Sequence, residues 1–358
     1  MKMSFLKGLG AGVFALALAG AAAAQDKGTV RVHIGGGDWA DANMKAYVEP
    51  FEKETGIKVV AIRDWTSLSK LKLMIENKNV EVDVGSMPSI DFLTANANGW
   101  VEKIDYSQFK ADELAGLAAR DKHANGVGYI YAAYVIAYNR DKIPAGKRPQ
   151  TWAQFWDVKN FPGARTARMG VYGSGPWEEA LLADGVSVDK LYPLDVDRVF
   201  RSLDKLKPHI TKWWKEGAEN QQVFADGIAE MGHAFNGRIT NLQKKGAPLD
   251  IVWNQGKIQV DYYVVPKGAQ NAANAMKFIA FATRADRQAE FSEMIPYGPS
   301  NQNAFKFIKP ETAKLLPNSP EHLKTMYVRD DAWYIAADAS GKTNQQKIIE
   351  RWNKWILE

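Results

Sequence analysis

The chain has 358 residues, no cysteine and a formal net charge of +5. The lack of cysteine excludes disulfides, thiolate zinc sites, cysteine nucleophiles and a cysteine-linked lipid anchor. Basic residues are interspersed with acidic ones, as in the segment 51–54 (FEKE), so no basic stripe indicates nucleic-acid binding. The length exceeds what one hydrophobic core usually organises, which predicts two lobes.

The first 24 residues predict export from the cytoplasm. Lys2 and Lys7 precede an apolar run over 11–24, which ends in an A-x-A pattern before Gln25. This is the layout of a cleavable secretory signal, and the run is shorter than the roughly 20 apolar residues that span a bilayer. Cleavage after Ala24 would leave an exported protein of 334 residues with a net charge of +3.

The remaining chain alternates between strand and helix patterns. Strands are predicted where β-branched and apolar residues cluster: 29–34, 57–62, 80–84, 127–138, 249–253 and 258–265. Helices are predicted where apolar residues recur every three or four positions: 68–75, 177–183, 196–206 and 271–282. This order predicts an α/β protein with parallel sheets flanked by helices.

Another helix is predicted directly after the triple glycine at 35–37. Asp38 or Asp41 is in the position to cap it, and Gly56 is expected to end it. Apolar residues at three- and four-residue spacings predict one buried face: Met44, Tyr47, Val48 and Phe51. The glycines lack the spacing of a phosphate-binding loop, so we interpret them as a loop that lets the backbone approach a ligand or a neighbouring segment of the chain.

Motifs for catalysis or metal binding are missing. The five histidines are far apart in the sequence: His33, His123, His209, His233 and His322. Neither H-E-x-x-H nor G-x-S-x-G occurs. The sequence therefore predicts a protein that is not an enzyme and holds no metal or cofactor.

Aromatic residues are abundant, and several stand beside turns. The chain has 12 Trp, 13 Tyr and 15 Phe, and Trp39, Trp177 and Tyr297 each follow or flank glycine or proline. Loop aromatics of this kind are well placed to line a cleft between lobes. Together with a carboxylate, such rings suit a cationic amine, because the ring face attracts the cation and the carboxylate binds the ammonium.

Four segments resemble a known receptor family: 51–59 (FEKETGIKV), 151–156 (TWAQFW), 236–238 (NGR) and 246–253 (GAPLDIVW). They are similar to the periplasmic solute-binding proteins of ABC importers, in the spermidine/putrescine-binding branch. The resemblance implies a two-lobed periplasmic-binding-protein fold with a hinge and an inter-lobe ligand cleft. It also implies a monomer that delivers a small amine to an inner-membrane permease by capture and release.

Each expected lobe is formed by two separate segments of the chain. Lobe one comprises 28–132 plus 262–305, and lobe two comprises 138–258 plus 306–358. The resemblance implies ligand-binding roles for four residues: Trp39, Phe235, Asp261 and Tyr297. In the branch, a tryptophan stands at the position of Phe235, so the ring is kept but the indole N–H is lost.

Three further positions depart from the branch pattern: Gly175 replaces a glutamate, Gln259 a tryptophan and Ile90 a tyrosine. The lost glutamate would have bound a second ammonium, although the neighbouring Glu178 or Glu179 could take that role. If the loss is real, the pocket favours a ligand with one cationic end, such as an amino acid, a betaine or an acetylated amine. A carboxylate clamp would then come from an arginine, for which the sequence offers Arg168, Arg201 and Arg238.

Two alternatives remain open. The pair Tyr262-Tyr263 is compatible with a ferric-iron receptor of the same fold, although the adjacent Asp261 favours an amine. A periplasmic hydrolase could also assemble its carboxylates from distant parts of the chain.

Overall fold

The computed structural model describes residues 28–171 and 174–358, so the predicted signal segment lies outside the described residues. The strands are β1 Thr29–His33, β2 Lys58–Ile62, β3 Gly85–Pro88, β4 Lys122–His123, β5 Gly126–Asn139, β6 Arg165–Arg168, β7 Ile210–Trp214, β8 Met231–Phe235, β9 Leu249–Val264, β10 Gly298–Pro299 and β11 Tyr327–Val328. β1 and β2 form a parallel pair. The other nine strands form a mixed sheet with the central order β11-β9-β5-β8-β6-β7.

Helices cover both sheets. They are α1 Gly37–Asn43, α2 Glu49–Thr55, α3 Leu68–Glu76, α4 Ser89–Ala97, α5 Ala111–Gly116, α6 Trp152–Trp156, α7 Trp177–Ala183, α8 Val196–Leu206, α9 Gly217–Ala225, α10 Asn236–Lys244, α11 Ala272–Ala282, α12 Ala285–Met294, α13 Pro310–Ala313, α14 Asp331–Ile335 and α15 Asn344–Trp355. The predictions over 177–183 and 196–206 are confirmed at both ends. In α8, Asp195 caps the first turn by accepting from the amide of Arg198, and Val199 and Leu203 are buried on the inner face.

The predicted helix after the triple glycine is α1 and α2, joined by one π-helical turn over Met44–Val48. Its expected inner face is buried at Tyr47, Val48 and Phe51, and Gly56 ends it with a left-handed φ of 73°. The capping prediction is wrong. The N-cap is Gly36, and Asp38 lies in the first turn with its carboxylate directed to α9 and α10.

Two strand predictions need correction. Residues 80–84 form no strand, because the amides of Asp83 and Val84 both donate to the carbonyl of Arg31 and so interrupt a regular ladder; β3 begins only at Gly85. The runs 249–253 and 258–265 form one strand, β9. Its register with β5 shifts near Gln255, which adopts a left-handed φ of 59°.

The prediction of parallel sheets is also wrong at the centre of the molecule. β5 and β9, of 14 and 16 residues, run antiparallel to each other. The chain enters the second lobe along β5 and returns along β9, so a whole lobe connects the two strands in place of a single crossover helix. Parallel pairing remains between β1 and β2, and between β6 and both β7 and β8.

Two large apolar cores lie at opposite ends of these crossing strands. The first includes Val32 and Phe51, and the second includes Trp177 and Trp352. The predicted two-lobed α/β fold is thereby confirmed, whereas the lobe boundaries stay a prediction. Within the predicted second lobe, residues 308 and 316 pack against α12, whose Phe291 belongs to the first core. None of the helices in the described ranges combines the length and apolar character needed to cross a bilayer.

Candidate functional site

A row of polar side chains lies on one face of β9 where the strand passes between the lobes. Asp261, Gln259 and Lys257 occupy alternate positions, so their side chains share a face. On β5 they stand opposite Ile130, Ala132 and Tyr134, respectively. The long strands thus place charged groups at the junction of the lobes.

Gln259 is the centre of a hydrogen-bond network. Its Nε2 donates to Asp261 Oδ1 at 2.8 Å, and its Oε1 accepts from Tyr134 Oη and Arg329 Nη1, both at 3.4 Å. Tyr134 Oη in turn accepts from Arg168 Nη1. The side-chain amide of Gln259 therefore links Asp261 to two arginines from separate parts of the chain, to Arg329 directly and to Arg168 through Tyr134.

Both arginines are buried and keep unused donors. Arg168, the last residue of β6, is 7% exposed, and its guanidinium lies 5.2–5.3 Å from the ring centroids of Tyr134, Trp214 and Phe235. Arg329, just before α14, is 4% exposed and donates from Nε to Asp331 at 2.5 Å. Within the described residues, Arg168 Nε and Arg329 Nη2 have no hydrogen-bond partner. Buried donors of this kind fit an anionic oxygen.

Two buried carboxylates lie near enough to these arginines to be influenced by their charges. Burial raises the pKa of Asp261 to about 6, against the opposing effects of the Gln259 hydrogen bond and of the charges on Arg329 and Arg168. Burial likewise raises the pKa of Asp91, in the first turn of α4, to about 6. Carboxylates that pay a desolvation penalty in this way would be stabilised in their ionised form by a bound ammonium.

The four residues implied by the resemblance fall into two groups. Asp261 belongs to the network, and the half-buried Phe235 joins it because its ring lies 4.6 Å from Tyr134. Trp39 and Tyr297 lie 5.2 Å apart in an adjoining aromatic cluster. Trp39 is only 5% exposed. Burial raises the pKa of Tyr297, which the charge of Arg238 lowers and that of Asp261 raises further. Contact of these four side chains with a ligand stays a prediction.

The three candidate arginines lie in different parts of the structure. Arg168 is in the network, whereas Arg238 is buried beside Tyr297 and Arg201 is exposed on α8. Sequence reasoning missed Arg329 and Asp91 altogether. Arg329 lies 70 residues from Gln259, and no local pattern signals that pairing.

The two lobes also contact each other outside the crossing strands. Asp38 of α1 accepts from Gln221 Nε2 of α9 at 3.1 Å, from Lys245 Nζ at 2.8 Å and from Asn241 of α10. These hydrogen bonds, first that with Lys245, lower the pKa of Asp38. Asp38 thus links α1 to α9 and to the C-terminal end of α10.

The ferric-iron alternative gains no support from this geometry. Tyr262 and Tyr263 point to opposite faces of β9, since Tyr262 Oη donates to the Arg120 carbonyl and Tyr263 stacks on Tyr129 at 3.8 Å. Among the residues that the structure describes, no three His, Asp or Glu side chains come together as a metal site.

We expect the affinity for a cationic ligand to fall as the pH drops from about 7 to about 5. A bound ammonium requires Asp261 and Asp91 in their ionised forms, and both have a pKa of about 6. Below that pH each carboxyl group must release a proton before the ammonium binds, which weakens the affinity about tenfold per pH unit for each group. The folding stability of the ligand-free protein depends on pH in the opposite direction. Because both pKa values lie above those of the unfolded chain, the ligand-free protein gains stability as the pH falls through about 6.

Calorimetric titration across this pH range, in buffers of different ionisation enthalpy, measures both the affinity and the protons released. Asp261→Asn is the matched control, since it should flatten the pH dependence in part. A constant affinity from about pH 5 to about pH 8 would contradict the role given to these carboxylates.

Comparison with known proteins gives one family. Residues 46–318 match the model of the bacterial extracellular solute-binding proteins. A gamma-aminobutyric acid-binding protein of Pseudomonas aeruginosa is 35% identical, over 96% of this chain and 95% of its own length. A spermidine/putrescine-binding periplasmic protein of Salmonella typhimurium is 28% identical, over 85% and 86%. The solved structure of the Atu4243 GABA receptor superposes with a TM-score of 0.80 at 37% identity, covering 92% of this chain and 97% of that one.

Proposed function

This chain belongs to the bacterial extracellular solute-binding proteins, and we propose that it captures a small ω-amino acid for an ABC importer. Such a ligand carries a carboxylate at one end and an ammonium at the other. The mature protein would act in the periplasm as a monomer, after loss of residues 1–24, and would present its closed lobes to a membrane permease. It releases the solute unchanged.

The observation that carries this proposal is the meeting of two buried arginines with two buried carboxylates. The unpartnered Nε of Arg168 and Nη2 of Arg329 would bind the ligand carboxylate, because guanidinium groups match carboxylate geometry. Asp261 and Asp91 would bind the ammonium, and the ring of Phe235 would pack on the methylenes. Only the amide of Gln259 separates Arg329 from Asp261, a span that a short methylene chain bridges.

The relatives support the same ligand class. The proteins at 35% and 37% identity bind gamma-aminobutyric acid according to their names, and this acid has three methylenes between carboxylate and ammonium. A diamine is the second candidate, favoured by the relative at 28% identity and by the carboxylates of Asp91 and Asp261. Arg168 and Arg329 oppose it, because two buried cations beside the site repel a ligand without a carboxylate.

A thermal-shift panel tests the proposal. Gamma-aminobutyric acid should raise the unfolding free energy by about 2.7 kcal/mol at a hundredfold excess over Kd. Butyrate and butylamine, which each carry one of its charges, should have much smaller effects, and so should putrescine. A larger shift with putrescine than with gamma-aminobutyric acid would contradict the proposal. Recovery of the bound acid unchanged distinguishes capture from hydrolysis.

A further inference from the structure

A second charged cluster lies beside the proposed ligand site, farther along the same face of β9. Lys257 is fully buried, and its Nζ lies 2.7 Å from Glu178 Oε2 and 3.0 Å from Glu179. The same ammonium donates to the carbonyl of Gly175 at 3.4 Å and lies 5.0 Å from the ring centroid of Tyr134. Two carboxylates, a carbonyl and an aromatic face are the surroundings that a bound ammonium requires.

The carboxylate of Glu178 is held in place by other groups. Its Oε1 accepts from Tyr192 Oη and Tyr334 Oη, both at 2.6 Å, which leaves Oε2 directed at Lys257. Both tyrosine hydroxyls come from outside β9, so this carboxylate is oriented without help from the lysine. The cluster is therefore a preformed ammonium position that the chain fills with its own side chain.

This position is continuous with the ligand site. Lys257 is two residues from Gln259 on the same face of β9, a step of about 7 Å along the strand. Tyr134 joins the two sites, because its hydroxyl accepts from Arg168 while its ring faces Lys257 Nζ. A second ammonium on a ligand bound at Asp261 would reach toward this position along the row.

We propose that Lys257 occupies a second ammonium position of the ligand site and so makes the receptor select ligands with one cationic end over diamines. This inference rests on the proposed function for the location of the ligand. Its physical basis is exclusion: a second ammonium would have to displace a lysine bound to two carboxylates, or remain near it as an unpaired cation.

Chemical rescue tests the ammonium position independently of any ligand. In Lys257→Ala/Glu179→Gln, one cation and one anion are removed together, so the net charge of the cluster is kept and Glu178 remains. Propylamine replaces the missing stem and ammonium, and it should raise the melting temperature of this variant in a saturable way, whereas propanol should not. Neither Lys257→Ala/Glu178→Gln/Glu179→Gln nor the surface variant Lys72→Ala should respond.

Titration with α,ω-diamines of four to eight carbons then tests selectivity. The affinity ratio of the best diamine to gamma-aminobutyric acid should rise at least about tenfold in the double variant, because a charge-assisted hydrogen bond is regained. A folded double variant with no propylamine response and an unchanged ratio would overturn the proposal. Failure to fold even with propylamine present would overturn it too, since the lysine stem would then be a structural requirement.

The two proposals fail separately. If wild type does not bind gamma-aminobutyric acid but propylamine rescues the double variant, the ligand assignment is wrong and the ammonium position stands. If wild type binds the acid and rescue fails, the ligand assignment stands and the role of Lys257 is wrong.

Discussion

Asp261→Asn should weaken binding of gamma-aminobutyric acid by about thirtyfold or more. Removing one side of a desolvated charge pair typically costs about 2–5 kcal/mol, and 1.4 kcal/mol corresponds to a tenfold change in Kd. Most of the loss should appear as faster dissociation. Calorimetric titration gives the affinity, and stopped-flow tryptophan fluorescence gives the dissociation rate.

The ligand-free variant should keep its stability, because the asparagine oxygen can still accept from Gln259 and the desolvated carboxylate is gone. Asp250→Asn is the matched control, since Asp250 lies on the same strand but forms an exposed pair with Arg140. Unchanged affinity together with a large fall in ligand-free stability would mean that Asp261 is structural.

Arg168→Gln should produce a loss of similar size, confined to ligands that carry a carboxylate. Gamma-aminobutyric acid and butyrate lose their partner, whereas butylamine should bind at least as well as it does to wild type, because one of the two buried cations that repel it is gone. Arg168→Lys should recover little of the loss, because a lysine ammonium keeps the charge but not the planar fork of donors. Titration of the three ligands against each variant measures the difference.

Arg201→Gln is the control for this series, because Arg201 is exposed on α8 and the substitution removes the same charge from the protein. Equal weakening of all three ligands by Arg168→Gln would indicate a collapsed site. Because the guanidinium lies against Tyr134, Trp214 and Phe235, near-ultraviolet circular dichroism of the ligand-free variant reports whether these rings keep their packing.

Local patterns predicted the helices well and the central sheet poorly. α8 has its cap and its three- and four-residue apolar spacing in one short segment, so its ends could be predicted. The antiparallel pairing of β5 with β9 depends on a whole lobe inserted between them, which no local pattern encodes. Likewise, the buried alternation of Val80, Val82 and Val84 resembles a strand, although hydrogen bonds to Arg31 interrupt it.

The site shows the same division. The resemblance marks the position of Asp261, and Arg168 could be named as a candidate but not located from the sequence. Arg329 joins Gln259, and Lys257 joins Glu178, across 70 and 79 residues of sequence. At Gly175 nothing in the sequence indicates the partner found in the structure, where its carbonyl and the neighbouring Glu178 contact the ammonium of Lys257.

A crystal structure of the protein with gamma-aminobutyric acid tests the central claim most directly. The ligand carboxylate should lie within hydrogen-bond distance of Arg168 and Arg329, and its ammonium within the same distance of Asp261, with Lys257 still bound to Glu178 and Glu179. A ligand in the reverse orientation, or one bound outside the network around Gln259, would contradict the account.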